Sequence, residues 1–329
     1  RCSLQRIRAA VLEGDWSRAK DLIGELFRTT DSIREAHALL GECCFRAVRD
    51  SPGGRGAPAA AYADAVAAFR STLDFTPNLL ESEAGDGPHG EDPAVHLRLG
   101  SIYFKHAEES GFSDEAALRA AMDHLKRSLI IAPTAEAWRC AGVCSYQEAC
   151  LRRKRLRSAA DAAAADAGAG TSAPAAAAGA AALAPESLFG EAVRFLTEAN
   201  TLDRRRPQIN AWLALCAAET GRVQIARQAI RQVLRFGGRL DAATALWLAT
   251  PLLRFSDESR AIPGERPRFV QNGRYAREVV AVLQLVLGMQ QKNAEARYML
   301  ARAHALLGED ATAVAELRVA IPQLLGNPE

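Results

Sequence analysis

Cysteine, histidine and clustered arginine are the residue types in this chain that could do chemistry. Cys140 and Cys144 stand four apart, which puts them on one face of a helix, with Cys150 beyond. A zinc site would need two more ligands and usually carries a closer pair in a loop, so small thiols at tight helix contacts explain the spacing better. Cys43 and Cys44 are adjacent and on a helix point to different faces. The six histidines are His37, His89, His96, His106, His124 and His304. None combines with Ser and Asp in a nucleophile-base order, and no His-Glu-x-x-His is present. The glycine-rich stretches at 53–56 and 167–170 lack the strand before and the helix after that a phosphate-cradling loop requires. The sequence therefore points to no catalytic residue, no metal and no cofactor, and the chain is expected not to be an enzyme.

The sharpest charge run is Arg152, Arg153, Lys154, Arg155 and Arg157, interrupted by Leu156. It could meet an acidic protein tail or act as a nuclear import signal. The plainer alternative is a solvated helix end, where cations oppose the negative end of the macrodipole. Arg204, Arg205 and Arg206 form a second run. It ends the partner helix, so the two runs are not expected to form one patch. Over the whole chain 41 basic residues balance 39 acidic ones, so no global attraction to polyanions exists. With no aromatic interleaving and no nucleic-acid fold, nucleic acid is excluded from the expected partners.

The elements that would position these groups are helices in a repeating pattern. Residues 294–321 read as a helix, a tight turn at Gly308-Glu309-Asp310, and a second helix. Ala301, Ala313 and Ala320 are small where paired helices must approach, and Leu300 and Leu317 fill the space between. The same Leu-small pair recurs at Leu40-Gly41, Leu99-Gly100, Leu213-Ala214 and Leu248-Ala249, with Gly142 in its place after Trp138. His37 and His96 hold the position that Trp138 takes, which makes them packing residues. Seven units of about 34 residues fit, at 2–31, 34–77, 93–133, 135–206, 208–238, 240–291 and 293–325. Insertions show by composition at 51–60, 78–92, 106–113 and 256–272. Residues 152–185 read as a basic and then Ala/Gly-rich insertion, with 159–184 a tether that is at most partly helical. Pro251 falls inside a first helix and should kink or shorten it.

This register resembles the tetratricopeptide-repeat (TPR) superfamily over most of the chain. The resemblance implies an all-α fold, a right-handed superhelical solenoid of about seven helix hairpins forming one domain over 1–329. It also implies a concave groove lined by the first helices, because one hairpin cannot bury its own apolar face. Carried onto this sequence, the groove positions are Phe45, Arg46, Phe104, Lys105, Arg139, Tyr146, Leu215, Leu246, Arg254, Tyr298 and Arg302. Such an apolar and basic groove suits a helix or extended segment with apolar anchors. The carboxylate clamp of TPR co-chaperones needs an Asn after the small residue. Glu42, Ser101, Val143, Leu215, Thr250 and Arg302 stand there instead, which excludes that clamp.

A narrower resemblance lies in 128–253, in Glu198-Ala199-Asn200-Thr201-Leu202, Trp212-Leu213-Ala214-Leu215 and Gly221. These residues are similar to late repeats of a cilia- and flagella-associated TPR protein of the axonemal central apparatus. The resemblance implies a structural scaffold in a cilium or flagellum, holding several proteins in a large assembly. The alternatives are a soluble adaptor that binds a peptide or helix of one partner, and the regulatory arm of an enzyme. Seven cysteines, an odd number at irregular spacing, argue against a disulfide framework and for a reducing compartment such as the cytoplasm. No secretory signal stands at Arg1, and a chain that begins there is expected to be part of something longer. The most apolar run, 279–288, is too short to span a bilayer, so membrane insertion is not expected.

Overall fold

A computed structural model of the chain describes residues 2–29, 34–49, 62–74, 92–110, 114–166, 185–236, 240–258 and 275–325. Among these residues there are fourteen helices and no strand. Most of the expected insertions, at 51–60, 78–91, 111–113, 167–184 and 259–272, lie outside the described residues. The chain divides into two compact units, Arg1–Leu151 and Arg152–Glu329.

The first unit holds α1 (Cys2–Glu13), α2 (Trp16–Thr29), α3 (Arg34–Arg49), α4 (Ala63–Asp74), α5 (Pro93–Glu109), α6 (Glu115–Ile131) and the start of α7 (Ala135–Asp166). Helices pair as α1 with α2, α3 with α4 and α5 with α6, and each pair packs on the next through α2–α3 and α4–α5. One apolar cluster joins Ile7 and Ala10 of α1 to Ile23 and Leu26 of α2 and Ala36 and Cys43 of α3. A second joins Cys44 and Phe45 of α3 to Ala65 and Phe69 of α4 and to Val95, Leu99 and Ile102 of α5. Thus α3 turns one face to each cluster, and Cys43 and Cys44 sit on either side.

The second unit holds the rest of α7, then α8 (Pro185–Leu202), α9 (Pro207–Glu219), α10 (Val223–Arg235), α11 (Ala242–Glu258), α12 (Ala276–Met289), α13 (Ala294–Leu306) and α14 (Asp310–Leu324). Here α9 pairs with α10, α11 with α12 and α13 with α14. The first helices also pack in series, α9 on α11 and α11 on α13, while α10 packs on α12. Stacking of like helices in successive hairpins is how a helical repeat builds a continuous core from units that have none alone.

Local sequence sets the helix ends. Asp92 accepts from the backbone N–H of Ala94 at 2.8 Å, and Pro93 follows it at the first helical position, where its missing N–H costs nothing. Asp114 and Asn293 cap α6 and α13 through the N–H groups of Ala117 and Ala296. The tight turns after α1, α9 and α13 each place a glycine at φ between +70° and +77°, namely Gly221 and, at 77°, Gly14 and Gly308. Only glycine takes that conformation without strain.

Where the paired helices cross, the small residues matter by contact. A Cβ on Gly100 would lie 2.7 Å from Leu125 Cγ and 3.2 Å from the Ala121 carbonyl oxygen. A Cβ on Gly41 would lie 2.9 Å from three ring carbons of Phe69. Ala214, Ala249 and Ala301 are buried at the corresponding places in the second unit.

One local expectation is corrected. The turn expected from His106 begins later, because α5 continues to Glu109 and Ser110 then caps it. The Ser110 hydroxyl donates to Ala107 O at 2.9 Å and accepts from the Asp114 N–H at 3.3 Å. Helix α11 runs through Pro251 to Glu258 and is not shortened there. The basic run at 152–157 lies within α7, which extends unbroken for 32 residues to Asp166.

Replacing Gly100 with Trp is expected to destabilise the first unit by roughly 1–3 kcal/mol or more, because α5 and α6 would be forced apart. Urea denaturation followed by helicity checks this. An unchanged midpoint would refute the hairpin register.

Candidate functional site

The residues expected to line a groove fall into three groups. Phe45, Tyr146 and Leu215 are buried in the core, with 7%, 7% and 1% of their surface exposed. Arg46, Lys105 and Arg139 are engaged by carboxylates on their own helices. Arg46 meets Glu42 at 2.5 Å and lies over the Trp16 ring, Lys105 pairs with Glu108, and Arg139 meets Glu136 at 2.5 Å. Phe104 and Leu246 are half-buried, and Arg254, Tyr298 and Arg302 are exposed on α11 and α13.

The basic run is likewise split. Arg152, Lys154 and Arg155 are exposed, while the Arg157 side chain lies outside the described residues. Arg153 turns inward and makes a two-pronged pair with Glu219, at 2.7 and 3.2 Å, with its guanidinium 5.0 Å from the centre of the Phe189 ring. The Glu219 side chain is only 3% exposed, and Arg254 approaches its other flank at 3.8 Å. This arginine therefore ties α7 to α8 and α9 rather than facing a partner.

The cysteines and histidines behave as packing groups. Burial pushes the Cys43 thiol up to about 11, and it raises Cys140 and Cys144 as well, so none of the three favours the reactive thiolate. Among the described residues no group of three or more His, Cys, Asp or Glu side chains could hold a metal ion. His37 tilts against Phe27 at 4.7 Å. His96 and His124 bring their Nδ1 atoms to 3.0 Å, and His124 stacks on Tyr103 at 5.7 Å with nearly parallel rings. One Nδ1 must donate and the other accept, so this contact cannot hold a proton on both. Burial first, and the neighbouring His96 second, push His124 down from 6.5 to about 4.

The concave feature with the most developed chemistry is a cleft of about 700 Å³ walled by α8, α9 and α10, inside the second unit. From α8 come Thr197, Asn200 and Thr201, and the turn that follows contributes Arg204 and Arg205. From α9 come Asn210 and Leu213. From α10 come Ile225, Gln228, Ala229, Gln232 and Arg235, with Phe236 at its end. Asn210 is 1% exposed, and its Nδ2 donates to the carbonyls of Arg204 and Arg206, both at 3.2 Å. That fixes the amide orientation and turns Oδ1 the other way, where it is closed to solvent and meets no hydrogen-bond donor among the described residues. The buried Oδ1 of Asn200 is in the same condition. Among the described residues Arg204, Arg205 and Arg235 have exposed side chains and stand in no ion pair.

The groove positions read from the first helices do not include the residues of this cleft, which is walled by the second helices α8 and α10, by Asn210 and Leu213 of the first helix α9, and by a connecting turn. Its signals were present in the sequence. Thr197 and Thr201, and Gln228 and Gln232, are each spaced four apart, so each helix carries a polar stripe opposite its apolar face.

No family model matches the chain, and no curated protein matches it. Solved structures do. The Assembly Chaperone of RpL4 (Acl4), residues 1–338, superposes with a TM-score of 0.50 at 15% identity over 95% of this chain and 98% of that one. A monomeric IFIT1 mutant with Gppp-AAAA gives 0.39 at 13% identity, covering 93% of this chain and 67% of that one. The human IFIT1 dimer with PPP-AAAA gives 0.37 at 13% identity, over 94% and 69%. The first of these likenesses shows the fold, an all-helical repeat solenoid. The partner class expected from sequence, proteins alone with nucleic acid excluded, does not stand. Matched helical-repeat chains carry capped and triphosphate RNA, so lacking a familiar nucleic-acid fold is no ground for exclusion. No match is to an axonemal protein among the structures named. No described helix is long and apolar enough to cross a membrane.

Glu219→Ala is expected to cost about 3–5 kcal/mol in the second unit, because the half-buried Arg153 loses its two-pronged carboxylate partner. Chemical denaturation of the variant checks this, and a loss below about 1 kcal/mol would mean that the pair is merely superficial. Because His124 is held neutral in the fold, the unfolded chain takes up its proton first. Stability present above pH 6.5 is therefore lost progressively as pH falls towards about 4. Melting curves across this range should show a smaller loss for His124→Gln than for the native chain.

Proposed function

We propose that the chain is a non-catalytic adaptor of TPR type that holds a segment of one partner protein. The observation that carries this reading is the cleft between α8, α9 and α10, a concave site bordered by Arg204, Arg205 and Arg235, which pair with no carboxylate among the described residues. Pockets of about 300–1,000 Å³ with a few directed polar groups are where proteins hold ligands. Stacked hairpins of the second unit fix the three walls, and the Arg153–Glu219 pair anchors α7 beside them. The described residues that line the cleft include no Cys, His, Asp or Glu. The likeness to an assembly chaperone, a protein that acts by binding another, agrees with an adaptor. Placement in an axoneme has no support from the comparisons and is not part of this proposal.

The test is a photo-crosslinking residue at Gln228 in the cleft, with Asp123 on α6 as the control position, in cells that express the chain. A discrete polypeptide adduct from position 228 and none from 123 is the expected result. Adducts to RNA alone, or equal labelling from both positions, would overturn the adaptor reading.

A further inference from the structure

We infer that the α8–α10 cleft binds an extended, acidic segment of the partner and grips it by its backbone; this rests on the adaptor reading above. The first ground is the pair of amides on α10. Gln228 is exposed and Gln232 half-buried on the cleft wall, four apart on one helix face. Side-chain amides can both accept from and donate to a peptide backbone. An extended peptide presents N–H groups for them at regular intervals. A helix does not, because its N–H groups are spent within it.

The second ground is charge. Arg204 and Arg205 leave the end of α8, and Arg235 ends α10, so three guanidinium groups border the cleft. Among the described residues no carboxylate pairs with them. Guanidinium forks bind carboxylates through two parallel hydrogen bonds. Asp or Glu side chains alternating along an extended segment would meet them while the backbone engages Gln228 and Gln232. The amides of the two glutamines donate and accept, which matches a backbone that also does both.

The third ground separates peptide from nucleic acid. Single-stranded nucleic acid is held by stacking successive bases on aromatic side chains, and among the described residues of the lining Phe236 is the one aromatic. Leu213, Ile225 and Ala229 offer instead an apolar floor for one aliphatic side chain of the segment.

The experiment selects a random dodecapeptide phage library on the full chain, then measures end-blocked synthetic peptides by fluorescence anisotropy. The selected peptides should be enriched in Asp and Glu. Arg204→Glu and Arg235→Glu, both at exposed positions and checked for native helicity, should each weaken binding by at least about tenfold, or about 1.4 kcal/mol. Thr201→Trp, which fills the cleft without altering its charge, should weaken it as well. An unlabelled single-stranded RNA dodecamer should not displace the peptide. Selected peptides that lack acidic enrichment, or that bind all three variants undiminished, would overturn the cleft assignment and leave the adaptor reading standing. Failure to select any peptide would overturn both, and RNA binding lost in the same variants would replace them with a nucleic-acid site.

Discussion

Two helices in a hairpin can approach no closer than the largest residue at their crossing allows, and everything else in this chain depends on that crossing being narrow. At Gly100 even a methyl group would enter the space of Leu125 and come within 3.2 Å of a backbone oxygen. At Gly41 the Phe69 ring fills the same space. Close crossing lets each helix present its other face to the next hairpin. That is why α3 can serve two apolar clusters, and why α9, α11 and α13 pack in series. The small residue is thus a condition of the stack, since a wide crossing would bury one interface at the expense of the other.

The same constraint made much of the fold legible. A small residue after a leucine, a later small residue and a turn glycine recur in register because geometry demands each of them. The helix starts at Asp92-Pro93, Asp114 and Asn293 are set by capping, which is local chemistry independent of the repeat register. Propensity acts in the same local way further on. From Gln147 to Ala167 there is no glycine or proline, and the run is rich in Ala and Arg, so helix formation meets no obstacle as far as Asp166. The helix therefore carries the basic run and the first part of the Ala-rich stretch. At Pro251 one lost hydrogen bond is outweighed by burial of Leu248, Ala249, Leu252 and Leu253 on either side of it.

The site was less legible, for a geometric reason. Register along one helix tells which face a residue lies on, but not how far the neighbouring hairpin reaches over it. Phe45, Tyr146 and Leu215 lie on first helices as expected, yet neighbouring elements bury them. The cleft is made by several elements at once, the second helices α8 and α10, the first helix α9 and the turn that enters it. No periodicity within a single helix encodes such a convergence. What sequence did hold were its fragments, namely the polar stripes of α8 and α10 and the run from Arg204 to Arg206, each explicable alone as a solvated surface.

The two arginine runs show why counting charge along a chain misplaces a binding surface. The run at 152–157 has the higher density, but its half-buried member Arg153 is neutralised by Glu219 and lies over Phe189. Its charge is spent on holding helices together, and removing water from that pair is possible only because both partners are satisfied. Arg204, Arg205 and Arg235 are fewer and come from two helix ends, yet no carboxylate of the described chain opposes them, and they border the accessible amides of Gln228 and Gln232. Charge and accessible hydrogen-bonding groups unspent in the same place are what a ligand can use. A recognition surface in a helical repeat is therefore located by what folding leaves unsatisfied, and here that is the cleft between α8, α9 and α10.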